Sequence, residues 1–297
     1  MITPDFVRQE DKEWIDLKLR CLESRFRTKI DKHDYYLSYS GGRDSHFLYW
    51  FIRTYLKDTV IPVVAVNTRM EHNDIKSRIM ENADIVLYPK VTPVQIKEKY
   101  GIPCFTKWQD DLICRYQNGS RAKSTMQGIT GEGRISFKLN NTAKELLLSG
   151  KLHKCSAKCC FYTKKKPLAD YEKETGLKPI LGVRGQESKI RNSKYTRCLN
   201  SKGQFTPLWD WSDRELRIAE IIYNIPVPKI YDEVDRTGCF GCPYGWHGKN
   251  TIKELKMLNT AQRNFTIDLF KESYDVLKIP YKELEQDHPT EKGGVEG

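Results

Sequence analysis

Hydrophobic positions along the chain switch between helical spacing and short continuous runs. Ile15, Leu19, Leu22 and Phe26 recur on one stripe among charged neighbours, so residues 5–28 are predicted as an amphipathic helix that covers a sheet. Tyr35 to Tyr39 is an aromatic and apolar run of strand length, and Leu48, Phe51, Ile52, Tyr55 and Leu56 after it return to helical spacing. Val60 to Val66 is nearly continuous and β-branched, as expected of a parallel strand buried on both faces. Asp84 to Tyr88 and Pro179 to Val183 are shorter strand candidates. Strands alternating with helices predict an α/β protein with a doubly wound, mostly parallel sheet, whose ligands bind outside the carboxyl ends of the strands.

The middle of the chain is less regular. Asn118-Gly-Ser120 and Gly128-Ile-Thr-Gly-Glu-Gly133 are loop-like, whereas Asn141 to Ser149 is helical, and an insertion over the active face is expected there. Thr251-Ile-Lys-Glu254 predicts a capping box opening a helix with Leu255, Leu258 and Phe265, and Asp287 to Gly297 a loose polar tail. The expected organisation is an N-terminal helix packing on the core (1–30), an α/β domain (31–245) with a helical insertion at about 101–175, and a C-terminal helical extension (246–297).

Composition narrows the setting. With 297 residues and 39% hydrophobic content the chain can bury a large core, and no stretch approaches the roughly 20 apolar residues of a membrane helix. Met1 to Phe6 lacks a secretory pattern, so a cytoplasmic protein is expected, with its nine cysteines reduced or ligating metal. Fifty Lys and Arg against 39 Asp and Glu give a net charge of +11, which suits an anionic substrate or nucleic acid. Eight lysines lie between Lys151 and Lys178, yet no interleaved aromatic series accompanies them, and a solvated basic face explains them equally well.

Two segments carry candidate anion chemistry. Ser40-Gly41-Gly42-Arg43-Asp44-Ser45 follows the first predicted strand and opens the next helix. Adjacent glycines let the backbone turn against a ligand, and the uncapped helix amides with two hydroxyls favour a phosphate. The spacing is that of neither the Gly-x-x-x-x-Gly-Lys-Ser/Thr loop nor the Gly-x-Gly-x-x-Gly fingerprint, and an ordinary glycine turn is the plainer alternative. Beyond Pro179 to Val183, Arg184, Glu187, Ser188 and Arg191 project from a strand end, where two arginines can grip phosphate or sulfate by forked hydrogen bonds.

The thiols form a third constellation. Cys159 and Cys160 are adjacent, and Cys239-Phe-Gly-Cys242 is a C-x-x-C turn far downstream; four such thiolates fit a tetrahedral zinc or an iron-sulfur cluster. Cys155 offers an alternative ligand or a free thiol beside the site, and Lys154 and Lys158 would offset thiolate charge. Cys21, Cys104, Cys114 and Cys198 are expected to be small, buried and unpaired, and His153 and His247 to be surface residues flanking cysteines.

The loop resembles the pyrophosphatase (PP) loop, Ser-Gly-Gly-x-Asp-Ser, of the adenine nucleotide alpha-hydrolase-like superfamily. The order of that loop, Gly182-x-Arg184-x-x-Glu187-Ser188-x-x-Arg191, Pro207-Leu-Trp-Asp-Trp-Ser212 and Thr237-Gly-Cys-Phe-Gly-Cys-Pro243 resembles the phosphoadenylyl-sulfate reductase family over about residues 30 to 265. The resemblance implies an adenine nucleotide at Ser40 to Ser45, Arg184 and Arg191 near a phosphosulfate, and, as in the iron-sulfur adenylyl-sulfate reductase branch, a 4Fe-4S cluster on Cys159, Cys160, Cys239 and Cys242, preferred over zinc. Magnesium is a further candidate ion. It implies reductive cleavage of adenylyl sulfate or 3′-phosphoadenylyl sulfate with a thioredoxin-type reductant. Three features depart from the pattern: Arg43 stands inside the loop, Asn67-Thr-Arg69 stands where the family has Asp-Thr-Gly, and no cysteine follows Cys242 to serve as the family's C-terminal nucleophile. Either a partner or small thiol therefore attacks directly, Cys155 or another upstream thiol substitutes, or the reaction is not sulfonucleotide reduction. The alternatives are ATP-dependent sulfur transfer from a sulfur donor to DNA or RNA, and a nucleotide or redox sensor without turnover.

Overall fold

The computed structural model describes residues 7–132, 138–187, 196–248 and 250–284. In chain order the main elements are α1 (Gln9–Lys29), β1 (Tyr35–Tyr39), α2 (Arg43–Trp50), β2 (Val63–Val66), α3 (Asn73–Asn82), β3 (Ile85–Leu87), α4 (Pro93–Tyr100), α5 (Lys107–Gln117), α6 (Lys123–Thr130), α7 (Asn141–Leu148), α8 (Lys166–Thr175), β4 (Lys178–Leu181), α9 (Asp213–Ile222), α10 (Asn250–Lys256) and α11 (Thr260–Leu277). They fall into two compact units. Unit 1 comprises residues 1–89 and 164–232, and unit 2 comprises residues 90–163 and 233–297.

Unit 1 is the α/β unit. Its four strands are all parallel in the order β3-β2-β1-β4, with Leu37 opposite Val63 on one side and Ile180 on the other. The chain adds strands on one side of β1 and then returns to its other side, so the order reverses between β1 and β4; such reversals open the crevice in which α/β sheets bind ligands. Tyr36, Leu37, Val63, Val64 and Ile180 are sealed from solvent, as both-face burial of a parallel sheet requires. The α1 stripe of Ile15, Leu19, Leu22 and Phe26 is buried as its spacing predicts. Arg25 ties α1 to the turn after Pro207 through paired bonds of 2.6 Å to Asp210. After Trp50 the helix continues as a wider turn in which the Leu56 amide reaches the Phe51 carbonyl, keeping Phe51 and Ile52 in the core.

Unit 2 is helical, and its core gathers Cys104, Ile113, Ile129, Leu139, Ala143, Leu147 and Cys155. Two expectations are corrected here. Gly128 and Ile129 belong to helix α6, not a loop, because Ile129 is needed in this core and the helix stops only at Gly131, in the left-handed region. Thr251 and Glu254 do not form a capping box: α10 begins at Asn250, and both side chains instead bond the backbone of the C-x-x-C turn. A second helix, α11, starts at Asn259, whose side chain caps the Gln262 amide at 2.9 Å. Among the described residues no helix is long and apolar enough to cross a membrane.

Candidate functional site

In unit 1 the predicted phosphate loop leaves the carboxyl end of β1 and runs into α2. Gly41 adopts φ +72°, the left-handed region that an L side chain rarely enters, and this reverses the chain. Ser45 then folds back: its hydroxyl donates to the Gly42 carbonyl (3.0 Å) and lies 3.0 Å from the Ser40 hydroxyl, while the Ser40 amide donates to it at 3.2 Å. The two hydroxyls are thus held side by side at a helix start whose N-cap, Gly42, brings no capping side chain. That combination of amides, hydroxyls and a helix N-terminus is suited to an anion.

Arg43, the residue that sets this loop apart from a bare motif, is part of its frame. Its guanidinium forms a two-point ion pair with Glu220 of α9 and lies 5.6 Å from the Tyr231 ring centre, while its amide donates to the Tyr231 hydroxyl at 3.3 Å. Asp44 faces the other way and accepts from Arg184 Nε at 2.8 Å; Arg184 also reaches Asp213 at 3.3 Å. The Gly182 backbone presses against the start of α2 so closely that a Cβ there would sit 2.9 Å from the Asp44 carbonyl carbon and the Ser45 nitrogen. Hence Ser40 to Ser45 and Arg184, named from sequence, meet at one end of the sheet. Glu187 lies in a short turn (Gly185–Glu187), with its side chain outside the described residues, as are Ser188 and Arg191.

At the end of β2, Thr68 donates to Glu71 at 2.6 Å, and Arg69 sits at φ +64° with its guanidinium 6.0 Å from the Tyr88 ring centre. Arginine therefore adopts the left-handed conformation that would suit a glycine at the same position.

In unit 2, Cys159 and Cys160 sit on a helical turn (Lys158–Cys160), and Cys239 to Cys242 closes a turn through a 3.2 Å bond from the Cys242 amide to the Cys239 carbonyl. The turn's polar groups are met by protein: the Gly241 amide donates to Glu254 at 3.0 Å, and Thr251 donates to the Cys242 carbonyl at 3.1 Å. Tyr274 donates to the Gly241 carbonyl. Burial, reinforced by the negative charge of Cys239, Cys160 and Cys159, pushes the Cys242 thiol well above its ordinary value. None of the four is in a disulfide, all are half-buried, and Cys239, Cys160 and Cys159 lie near enough to Cys242 for their charge to act on it. An all-thiolate donor set fits an iron-sulfur cluster or zinc.

Cys155 belongs to a different group. The backbone of 101–104 runs beside that of 153–156, with bonds from the Ile102 amide to the Lys154 carbonyl (3.0 Å) and from the Ser156 amide to the Ile102 carbonyl (2.9 Å). This brings the ligand atoms of Cys104, His153 and Cys155 within 4.8 Å of one another, a group that could hold a metal ion. His153 Nε2 is 3.4 Å from Cys155 Sγ and 2.9 Å from the Ser273 hydroxyl. Cys155 is sealed from solvent; its hydrogen bond to Cys104, together with burial, raises its thiol and draws that of Cys104 down to about 7. Asp110 accepts from the Cys104 amide (2.6 Å) and from Tyr244 (2.8 Å), and burial raises its carboxyl to about 6.

The expectation of four small, buried, unpaired cysteines is therefore corrected. Cys104 is buried but grouped with His153 and Cys155, Cys21 is exposed on α1, and Cys198 is half-buried. His153, noted as flanking Cys155 but expected at the surface, is instead half-buried against Ser273 and Cys155, and nothing in the local sequence marked Cys104. The one available signal was the Gly101-Ile-Pro-Cys104 run, whose glycine permits the close approach of 153–155.

No family model matches the chain, and no curated protein matches it. Among solved structures, a phosphoadenylyl-sulfate (PAPS) reductase from Candida auris, determined as a phosphate complex, is similar at 14% identity over 76% of this chain and 92% of that one, with a TM-score of 0.41.

Proposed function

We propose that the chain is a sulfonucleotide reductase-like enzyme that binds the phosphates of an adenine nucleotide at Ser40 to Ser45 and reductively cleaves an adenylyl-sulfate substrate. One observation carries this reading: the paired Ser40 and Ser45 hydroxyls at an uncapped helix start, with Asp44 anchoring Arg184 beside them. In this role the hydroxyls and α2 amides hold the phosphate, and Asp44 positions Arg184 rather than touching the substrate. The reaction takes two electrons from a dithiol. The bond between sulfur and the bridging oxygen breaks, sulfite and the nucleoside phosphate leave, and the dithiol becomes a disulfide.

The residues that would hold a 4Fe-4S cluster are Cys159, Cys160, Cys239 and Cys242, and such a cluster supplies a redox-active centre bound by thiolates. The burial of Cys155 speaks for an external thioredoxin-type thiol as the attacking group. The same burial leaves room for a second reading, ATP-dependent sulfur transfer to a nucleic acid, which needs no enzyme thiol at that position.

Product analysis separates the two. Protein purified without oxygen and offered adenylyl sulfate, its 3′-phosphorylated form or ATP, with thioredoxin present, is expected to release sulfite from a sulfonucleotide, and Asp44→Ala to lose at least about 100-fold of that rate. Pyrophosphate from ATP without sulfite would replace the reductase reading by adenylation and sulfur transfer. Iron content unchanged in Cys239→Ser would remove the cluster from those four thiols.

A further inference from the structure

Unit 2 contains a cavity of about 510 Å³ lined by α4 and α11, with Gly101, Ile102, His153 and Lys154 at one side. His153 faces two environments: it lines this cavity and lies against the sealed pair Cys104 and Cys155. We propose that Cys104, His153 and Cys155 form a binding site for a zinc-class divalent metal ion, separate from the four-cysteine group and reached through the cavity past His153.

The donor set selects the metal. Two thiolates and an imidazole suit zinc or another late first-row divalent ion and disfavour magnesium or calcium, which take oxygen ligands. Zinc bonds of about 2.3 Å to sulfur and about 2.0 Å to nitrogen leave neighbouring ligand atoms roughly 3.5 to 3.8 Å apart. The 3.4 Å between His153 Nε2 and Cys155 Sγ, within a group confined to 4.8 Å, needs only small adjustment to meet that spacing. Both cysteines bind as thiolates, so two thiol protons leave as the ion enters. Ser273 loses its bond to Nε2 but keeps the 2.6 Å bond it donates to the Pro103 carbonyl, and it remains satisfied.

The surroundings are built to hold the group in place. Asp110 fixes the Cys104 and Phe105 amides at 2.6 and 3.1 Å, and the Cys155 amide donates to Gln117 at 3.0 Å. Both ligand-bearing loops are thereby held by side chains that bond their backbone, the role that outer partners play around metal ligands. Three protein ligands with access from a cavity match the pattern in which a fourth position stays open to water or a small ligand.

The test is metal analysis of the full chain, purified without oxygen and incubated with zinc chloride alone before removal of excess metal. The wild type is expected to retain about one zinc whose X-ray absorption reports two sulfur and two lighter neighbours. Cys104→Ser and His153→Gln are each expected to lose at least about 100-fold in zinc affinity, whereas Cys114→Ser, which changes a neighbouring buried thiol, should retain it. His153 is the less buried ligand, so its Gln variant reports on the site even where Cys104→Ser fails to fold. A shell of four sulfurs would put the zinc on Cys159, Cys160, Cys239 and Cys242 and overturn the proposal, as would retention by both ligand variants or no uptake by the wild type. Sulfite production plays no part in these readouts, so failure of the reductase reading and failure of the metal site remain distinguishable.

Discussion

The Ser40 to Ser45 turn of unit 1, which we propose holds phosphate, and the Cys104, His153, Cys155 group of unit 2 both depend on one glycine that lets two backbones touch, yet they are encoded differently. In unit 1 the functional atoms lie within six consecutive residues, and Gly182 only admits the end of β4 to a loop that Ser40, Gly41 and Ser45 already shape. In unit 2 no two ligands lie on the same stretch as the third, and Gly101 is what allows 102–104 and 153–155 to pair at all: a Cβ there would sit 2.0 Å from the Lys154 carbonyl oxygen. A site made of backbone amides is written contiguously because the turn itself is the ligand. A site made of side chains can be written anywhere that packing brings together.

Gly101→Ala is the severest way to break this comparison. It adds the 2.0 Å overlap and places a side chain at φ +90°, and we expect a loss of about 4 kcal/mol in urea unfolding together with loss of zinc retention. Gly150→Ala has a similar φ of +71° but nothing within 4 Å, so it isolates the conformational cost, expected near 1 kcal/mol. Equal losses for the two would mean that the close approach contributes nothing.

Glu220→Ala comes next and tests whether Arg43 is framework or ligand. The pair is largely buried, with side-chain exposures of 15% and 6%, so removing the carboxylate strands a guanidinium, at about 3 kcal/mol. Nucleotide affinity should fall only through the looser loop. If stability is unchanged while affinity collapses, Arg43 belongs to the ligand and not to the frame. Gly182→Ala is milder, about 2 kcal/mol, because its Cβ would meet backbone at 2.9 Å rather than 2.0 Å and φ there is not in the left-handed region, although the Asp44 and Ser45 backbone must still shift. Its nucleotide affinity should drop about 10-fold while zinc retention stays at the wild-type level. A fall in zinc with Gly182→Ala would show that the two regions are not independent.

The same contrast explains what the sequence disclosed. Strands β1 to β4 were visible because parallel interior strands are short apolar runs, and each was expected within a few residues of where it lies. The loop was visible because its chemistry is local. Arg43 looked like a departure from a motif, since Glu220 and Tyr231 lie far along the chain and only the fold shows that they receive it. Thr251 and Glu254 had the spacing of a capping box, but burial of the C-x-x-C turn created unpaired backbone groups at Gly241 and Cys242, and satisfying those outweighed capping a helix. Apart from the glycine three residues before it, Cys104 gave no signal, because a buried cysteine has the same local pattern whether its neighbour is a leucine or another thiol.

His46 provides the smallest and most specific of these tests. It lies in α2 directly after the loop, its Nδ1 is hydrogen-bonded with the Tyr39 hydroxyl at 2.9 Å, and it stacks on Tyr49. Burial, with Arg78 repelling the imidazolium, pushes its pKa from 6.5 down to about 4. A folded-state pKa below the unfolded one means that the native protein binds fewer protons in this window. The stabilisation is therefore complete above about pH 6.5 and is lost as the pH falls through about 4. The full difference is on the order of 3 kcal/mol, of which about 2 should be seen between pH 7 and pH 4.5. His46→Gln keeps an acceptor for Tyr39 without titrating, so wild-type and variant stabilities should diverge across that range and run parallel above it. Direct imidazole titration by NMR should find His46 neutral at pH 5.5. An imidazolium already formed there would mean that the back of the loop is wetter than its packing indicates.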